Sequence, residues 1–403
     1  MSMSAGSTPG TAPFLDVLDP AFDFHSPEVI AAQEESWYAD SPLGPLVLRY
    51  AEAQEVMRDR GFDHNGKGFL AENGVVDGPV YDWFVPMIVN HDGAEHRRLR
   101  GLVNKAFTPR MVEGLRPFIR AWAEELTERL RAAEICEFVE QFSDPLPLAV
   151  MCRLLGVPVE DYEFFRRWSP EIGLVFGLAN GGDVATRVAR AVVALNDYVD
   201  GLIKDKQAHP GEDLSSALVA AWEGGGRVTR DELRNLLVTL VFAAHDTTRH
   251  QLANAVVAFA EHPGQWELLA RDPGLAPRAV EELFRYRPST TILFRYAIED
   301  LEFHGLRVAK GTALTVLTPA AQRDPRVHEN AQDLDITAVR RTPPLQFGGG
   351  PHHCLGAALA RAELTEALPA LTARLGPPSL AGPVVWTPPI GIYGALTVPL
   401  RFA

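Results

Sequence analysis

The stretch TRDELRNLLVTLVFAAHDTTRHQLANAVVAFAEHP, residues 229–263, sets the strongest limit on what this chain can become. Thr229 and Glu232 have capping-box spacing, and Pro263 closes the run, so the whole segment reads as one helix. At 1.5 Å per residue it spans roughly 50 Å, enough to cross an entire molecule of this size. Residues 236–244 are apolar on nearly every face, which places the helix at the centre of the fold.

The rest of the chain supplies helices to pack around such a rod. Amphipathic patterns cover 95–107, 111–131 (with a proline inside), 144–156, 160–170 and 183–206. Residues 173–183 carry four glycines and read as a mobile connection. Strand signals are few. They lie at 42–50 and in short runs within 290–318, split by HG and KG turns. Residues 319–346 read as mostly irregular. No linker divides the chain. The expectation is a mainly α protein with small β-sheets (α+β), a loose Ser/Gly/Thr/Pro tail over 1–13, and a single domain over 14–403.

Charge and cysteine content narrow the function. A net charge of −14 disfavours nucleic acid, which needs a basic face to neutralise phosphates. No stretch reaches the 18 apolar residues of a membrane span, and the first residues lack a signal peptide's basic end and apolar run. Three cysteines, Cys136, Cys152 and Cys354, make no disulfide framework and point to a reducing, cytoplasmic setting.

One cysteine has unusual neighbours. In FGGGPHHCLGAALAR, residues 347–361, three glycines precede Cys354 and a helix follows it. A lone cysteine is most often an inert core residue. Zinc suits this one poorly, because His352, His353 and Cys354 are adjacent and no second cysteine pair exists. The glycines permit positive φ and close approach of a flat ligand. Backbone N–H groups and the positive helix end favour a thiolate. The arrangement suits an anionic cysteine bound to a metal, and thiolate ligation of haem iron favours O–O cleavage.

The same stretch resembles the haem-binding signature of the cytochrome P450 family, Phe-Gly-x-Gly-x-His-x-Cys-x-Gly, matched by Phe347, Gly348, Gly350, His352, Cys354 and Gly356. The resemblance runs from about residue 45 to the end. It implies the P450 fold, with the long helix over a haem b, and Cys354 as the axial ligand with Phe347 packed near its sulfur. AAHDTT, residues 243–248, resembles the family's Ala-Gly-x-(Asp/Glu)-Thr-Thr, with Ala244 where glycine is frequent. Alone, a buried aspartate there would be an ion-pair or capping residue. The resemblance instead implies that Thr247 assists dioxygen activation and that Asp246 feeds protons through water. Ala243 joins the cofactor-binding set.

Further positions follow from the resemblance. His96 and Arg100 share one helix face at i, i+4, and with Arg295 and His352 match the family's propionate ligands. Glu282 and Arg285 match the structural Glu-x-x-Arg. The second arginine that usually completes their ion network aligns with Asp333, so the network is expected to be incomplete or repaired by a residue such as Arg323. Phe242, Thr291, Ile292, Leu293 and Ile390 are expected to line a substrate pocket.

The implied activity is that of a monooxygenase. It would use dioxygen and electrons from NAD(P)H, delivered by external redox partners of the ferredoxin and ferredoxin reductase type, to hydroxylate or otherwise oxidise a hydrophobic or aromatic small molecule. A tailoring step in secondary metabolism is the expected setting. Arg97, Arg98, Arg100 and Arg361 form a candidate basic patch for an acidic partner, or else solvated helix faces. Oxidative coupling, demethylation and peroxide-driven chemistry are alternatives at the same iron. A catalytically silent haem-binding recruitment module is the alternative from another class. It would be expected to lose Thr247 or the cysteine cradle, and both are present.

Overall fold

The computed structural model describes residues 12–225 and 228–403, so almost all of the 1–13 tail lies outside the described residues. The central helix runs Arg230–Glu261, with both halves of the Thr229/Glu232 capping box formed. Pro263 opens the next helix, Pro263–Arg271, where a missing N–H costs nothing. Leu236, Leu237, Val238, Val241 and Phe242 are buried, as their all-round apolarity requires.

Helices Pro145–Leu155, Tyr162–Gly173 and Val184–Ala208 pack directly on the central helix. Gly156 ends the first of these at φ +65, a left-handed cap that a side chain would strain. Helix Pro109–Arg131 carries Pro117 inside and packs along helix Ala357–Thr372, which follows the cysteine loop. The glycine-rich connection is more ordered than its composition implies. It forms 3-10 turns over Leu174–Asn180, kinked at Gly177.

Among the described residues the β structure forms four small sheets. Its main sheet has the strand order Tyr38–Ala39, Leu46–Val47, Ala313–Leu317, Ile292–Ala297, Phe62–Asp63. Only the pair Leu46–Val47 with Ala313–Leu317 is parallel. The HG turn, with His304 and Gly305 at positive φ, joins the hairpin Leu301–Phe303/Leu306–Val308. Strand Ile292–Ala297 places Ile292, Leu293, Phe294 and Arg295 along one cavity.

Candidate active site

The cysteine loop is shaped by backbone constraints. Gly348 and Gly350 take φ +67 and +60, a region that favours glycine. A Cβ at Gly349 would stand 3.2 Å from Met57 Cβ, and one at Gly350 would stand 3.3 Å from the Met57 carbonyl oxygen. The Cys354 N–H donates to Phe347 O at 2.7 Å, closing the loop onto its first residue. Phe347 is buried between the Phe284 edge and the Arg361 guanidinium, which lies 4.7 Å from its ring centre.

The Cys354 side chain opens into a cavity of about 280 Å³ between this loop and the central helix. Dense protein around the sulfur still disfavours its charge. Burial raises the thiol pKa, and the N–H groups of Gly356 and Ala357 with the Arg100 and Arg361 guanidiniums offset only part of that. A coordinated metal deprotonates a thiol outright, so these groups are arranged for a ligated sulfur.

Across the cavity, Thr247 lines the wall and its hydroxyl donates to Ala243 O at 3.1 Å. Ala243 and Thr247 interrupt the burial of the central helix because both lie on its cavity face, four residues apart. Asp246 is buried instead and pairs with Arg249 at 2.6 Å. It is therefore an ion-paired aspartate within the bundle, one residue from the cavity wall. Phe242, Ile292 and Leu293 line the cavity. Thr291 and Ile390 do not. Thr291 is buried with its hydroxyl on Pro389 O, and Ile390 packs into the core beside Ile292 and Leu317. Their neighbours Thr290, Gly391 and Ile392 take those places, with Phe294 further along the strand. Phe176 stacks on Phe242, ring centres 5.5 Å apart, and also lines the cavity. A larger surface cleft of about 790 Å³ beside Lys206 and Asp213 holds none of the expected site residues.

One end of the cavity gathers imidazole and guanidinium groups. His96, Arg295 and His352 converge there, and His64 joins them. The His352 ring centre is 4.2 Å from both the His64 and the His96 ring centres. Arg295 donates to Met57 O at 2.6 Å and contacts His64 Nδ1 at 2.8 Å. Arg100 donates to His353 O at 2.8 Å. Asp92 lies 2.9 Å from His352 Nε2, and that contact lowers its pKa, while Asp63 also lies near Arg295. Burial, with His352 and Arg100 nearby, holds His96 down to about 4. Burial and Arg295 hold His64 well below its usual value. Three imidazoles and two guanidiniums, set against the Asp92 and Asp63 carboxylates, give hydrogen-bond donors for further anionic groups. A haem offers two carboxylates and an open iron position, so it fits both ends of the cavity. His64, Asp92 and His352 could also hold a metal ion by proximity, but the Arg295 guanidinium beside His64 opposes a cation there.

The ion network corrects the sequence expectation. Arg340 completes it, donating to both Glu282 oxygens at 2.8 and 2.9 Å, alongside Arg285 at 2.8 Å to each. Asp333 contributes only its backbone oxygen, to Arg285. Arg323 bonds Tyr286 O and lies over that ring, away from Glu282. Burial alone would raise Glu282, but the two arginines outweigh it and hold the carboxyl below its usual range. The proposed basic patch is partly neutralised. Arg98 pairs with Glu95 and Glu232, and Arg361 pairs with Glu281, while Arg97 is exposed.

Comparison with known proteins agrees with this geometry. The sequence pattern of the family described as cytochrome P450 matches residues 275–374. The chain is 44% identical over 406 aligned positions to the luteothin monooxygenase of Streptomyces thioluteus, covering 100% of this chain and 99% of that one. It is 38% identical to the nocardicin C N-oxygenase of Nocardia uniformis subsp. tsuyamanensis, covering 84% and 83%. The crystal structure of CalO2 superposes with a TM-score of 0.85 at 30% identity, covering 94% and 95%. None of the described helices is long and apolar enough to cross a membrane.

Proposed function

From the premise that the chain belongs to the cytochrome P450 family, and is a monooxygenase of it, we propose how its own residues divide the work. When bound, the haem supplies the redox chemistry that splits dioxygen, using two electrons and placing one oxygen atom in the substrate. Cys354 gives the thiolate, and the N–H groups of Gly356 and Ala357 stabilise its charge. His96, Arg100, Arg295, His352 and the unforeseen His64 receive the cofactor's carboxylates. Thr247 presents a hydroxyl to the reacting oxygen, and Asp246 is the acid that hands protons inward.

Phe176, Phe242, Ile292, Leu293 and Phe294 give the substrate an apolar and aromatic surround with few polar contacts. The substrate is a hydrophobic or aromatic small molecule. The setting is tailoring of a secondary metabolite, supported by relatives named for luteothin, nocardicin C and mycinamicin IV. Redox partners supply the electrons. A ferredoxin and its reductase are the pair favoured here, docking in the cytoplasm near Arg97 and Arg100. Residues 14–403 act as one haem-bearing domain.

The observation that carries this reading is a thiol and the Thr247 hydroxyl lining one cavity, with guanidinium and imidazole groups gathered at one end. The test is the absorption spectrum of the reduced protein under carbon monoxide. A Soret band at the thiolate-haem position, lost in Cys354→Ala, is expected. An unshifted band in undamaged protein would overturn the assignment of Cys354.

A further inference from the structure

A charge pair, Arg361 with Glu281, lies against the cysteine loop outside the cavity lining. Arg361 sits on helix Ala357–Thr372, about two turns past Cys354. Its guanidinium stands 4.7 Å from the centre of the Phe347 ring, a cation resting on an aromatic face. Phe347 is buried and meets Phe284 edge-on, ring centres 5.0 Å apart. The Phe347 carbonyl oxygen accepts from the Cys354 N–H at 2.7 Å, so the ring and the thiol belong to one hydrogen-bonded turn.

Glu281 clamps that guanidinium in place. Its two oxygens accept from Arg361 Nε at 2.5 Å and from Nη2 at 3.1 Å, while Arg361 Nη1 donates to Ala357 O at 3.3 Å. Both side chains remain about one-third exposed, at 32% and 35%. A surface ion pair of this kind adds little to stability. What this one does is fix a position. All three guanidinium nitrogens are held, so a charge that arginine never loses stays over a buried ring that adjoins the thiol. Glu281 and Glu282 are neighbours on helix Ala276–Tyr286 and serve different ends. Glu282 is fully buried and holds Arg285 and Arg340, whereas Glu281 holds Arg361. Arg361 and Arg100 both favour negative charge on Cys354, which supports what the geometry implies.

We propose that Arg361 and Glu281 form a charge pair that sets the reduction potential of the thiolate-bound haem. Taking up one electron adds one negative charge to the iron and its ligand. A guanidinium fixed on Phe347 stabilises that added charge, and the Glu281 carboxylate, which meets the loop through Arg361, opposes it. Neither side chain lines the cavity, so both act as positioning residues on electron uptake and not on substrate. The proposal rests on the reading of Cys354 as the haem ligand.

The test is the midpoint potential of the haem-loaded, substrate-free protein, measured by mediated spectroelectrochemistry in Arg361→Gln, Arg361→Lys, Glu281→Gln and Arg97→Gln. Arg361→Gln should move to more negative potential, with the reduced-to-oxidised ratio at a fixed potential falling about threefold or more. Arg361→Lys keeps the charge without the fork and should move less. Glu281→Gln removes the opposing charge and should move to more positive potential. Arg97 is exposed on helix Gly93–Ala106, so Arg97→Gln removes an equal charge from open surface and should stay close to the parent. The Soret band under carbon monoxide is recorded for every protein. A thiolate-haem band with an unmoved potential in Arg361→Gln overturns the proposal, as does an equal shift in Arg97→Gln. If Arg361→Gln takes up no haem, Glu281→Gln decides, and a potential that falls or stays put there overturns the pair. A parent protein without the thiolate-haem band would instead overturn the reading of Cys354 on which the proposal rests.

Discussion

Replacing Arg340 by alanine removes two charge-assisted hydrogen bonds, at 2.8 and 2.9 Å, from a Glu282 carboxylate that is 0% exposed. Hydrogen bonds to charged groups contribute about 1.5–3 kcal/mol each, and breaking a buried ion pair costs about 3–5 kcal/mol. Arg285 and the Asp335 N–H remain on Glu282, so the carboxylate is not stranded. The low end applies, about 3 kcal/mol, which is a large share of a typical stability of about 5–15 kcal/mol. The assay is denaturant unfolding followed by tryptophan fluorescence and far-UV circular dichroism, with coincidence of the two probes checked first. Arg340→Lys keeps the charge but loses the two-pronged fork and should fall between. Asp333→Ala is the decisive control. Only its backbone is used, so it should stay within about 0.5 kcal/mol of the parent. The sign with pH is also fixed. Glu282 is held below its unfolded value, so its stabilisation is present above about pH 4.3 and is lost as pH falls through the folded pKa. Arg340→Ala should shrink that acid-sensitive part. A loss under about 1 kcal/mol in Arg340→Ala, or an equal loss in Asp333→Ala, would refute the network as described.

Three further outcomes are expected. His96, His250 and His328 are held near 4 by burial, so the unfolded chain binds more protons as pH falls below about 6.5. Stability of the haem-free protein should therefore drop between pH 6.5 and 4, and calorimetry should show a shallower slope once haem carboxylates face His96. Cys136 and Cys152 are buried with thiols pushed up to about 11 and about 12, so iodoacetamide should label only Cys354 in the native haem-free chain, and haem loading should abolish that label by mass spectrometry. Gly173→Ala puts a methyl 2.6 Å from Asp246 Oδ2 and 2.9 Å from Phe242. Overpacking of about 1–3 kcal/mol should exceed the gain in helix propensity of about 1 kcal/mol, and the melting temperature should fall.

Short-range physics made much of this protein legible. A capping box and all-round apolarity fix the central helix because both act within a few residues. Glycines at 348 and 350 mark positive φ directly, and i, i+4 spacing places His96 and Arg100 on one face. The cysteine loop needs no distant partner to be recognised. Other features rest on contacts between segments far apart in the chain. Arg340 reaches Glu282 across 58 residues from an irregular segment with no periodicity to fix its register, so the sequence alone points to Asp333 and misses it. His64 meets Arg295 across 231 residues because a two-residue edge strand joins the sheet beside Ile292–Ala297. Nothing local distinguishes Thr291 from Thr290, yet packing buries one and turns the other to the cavity. Asp246 shows both limits at once. Its sequence motif marks a site and its ion-pair partner Arg249 lies three residues on in the same helix, but only tertiary packing brings Asp144 beside Arg249.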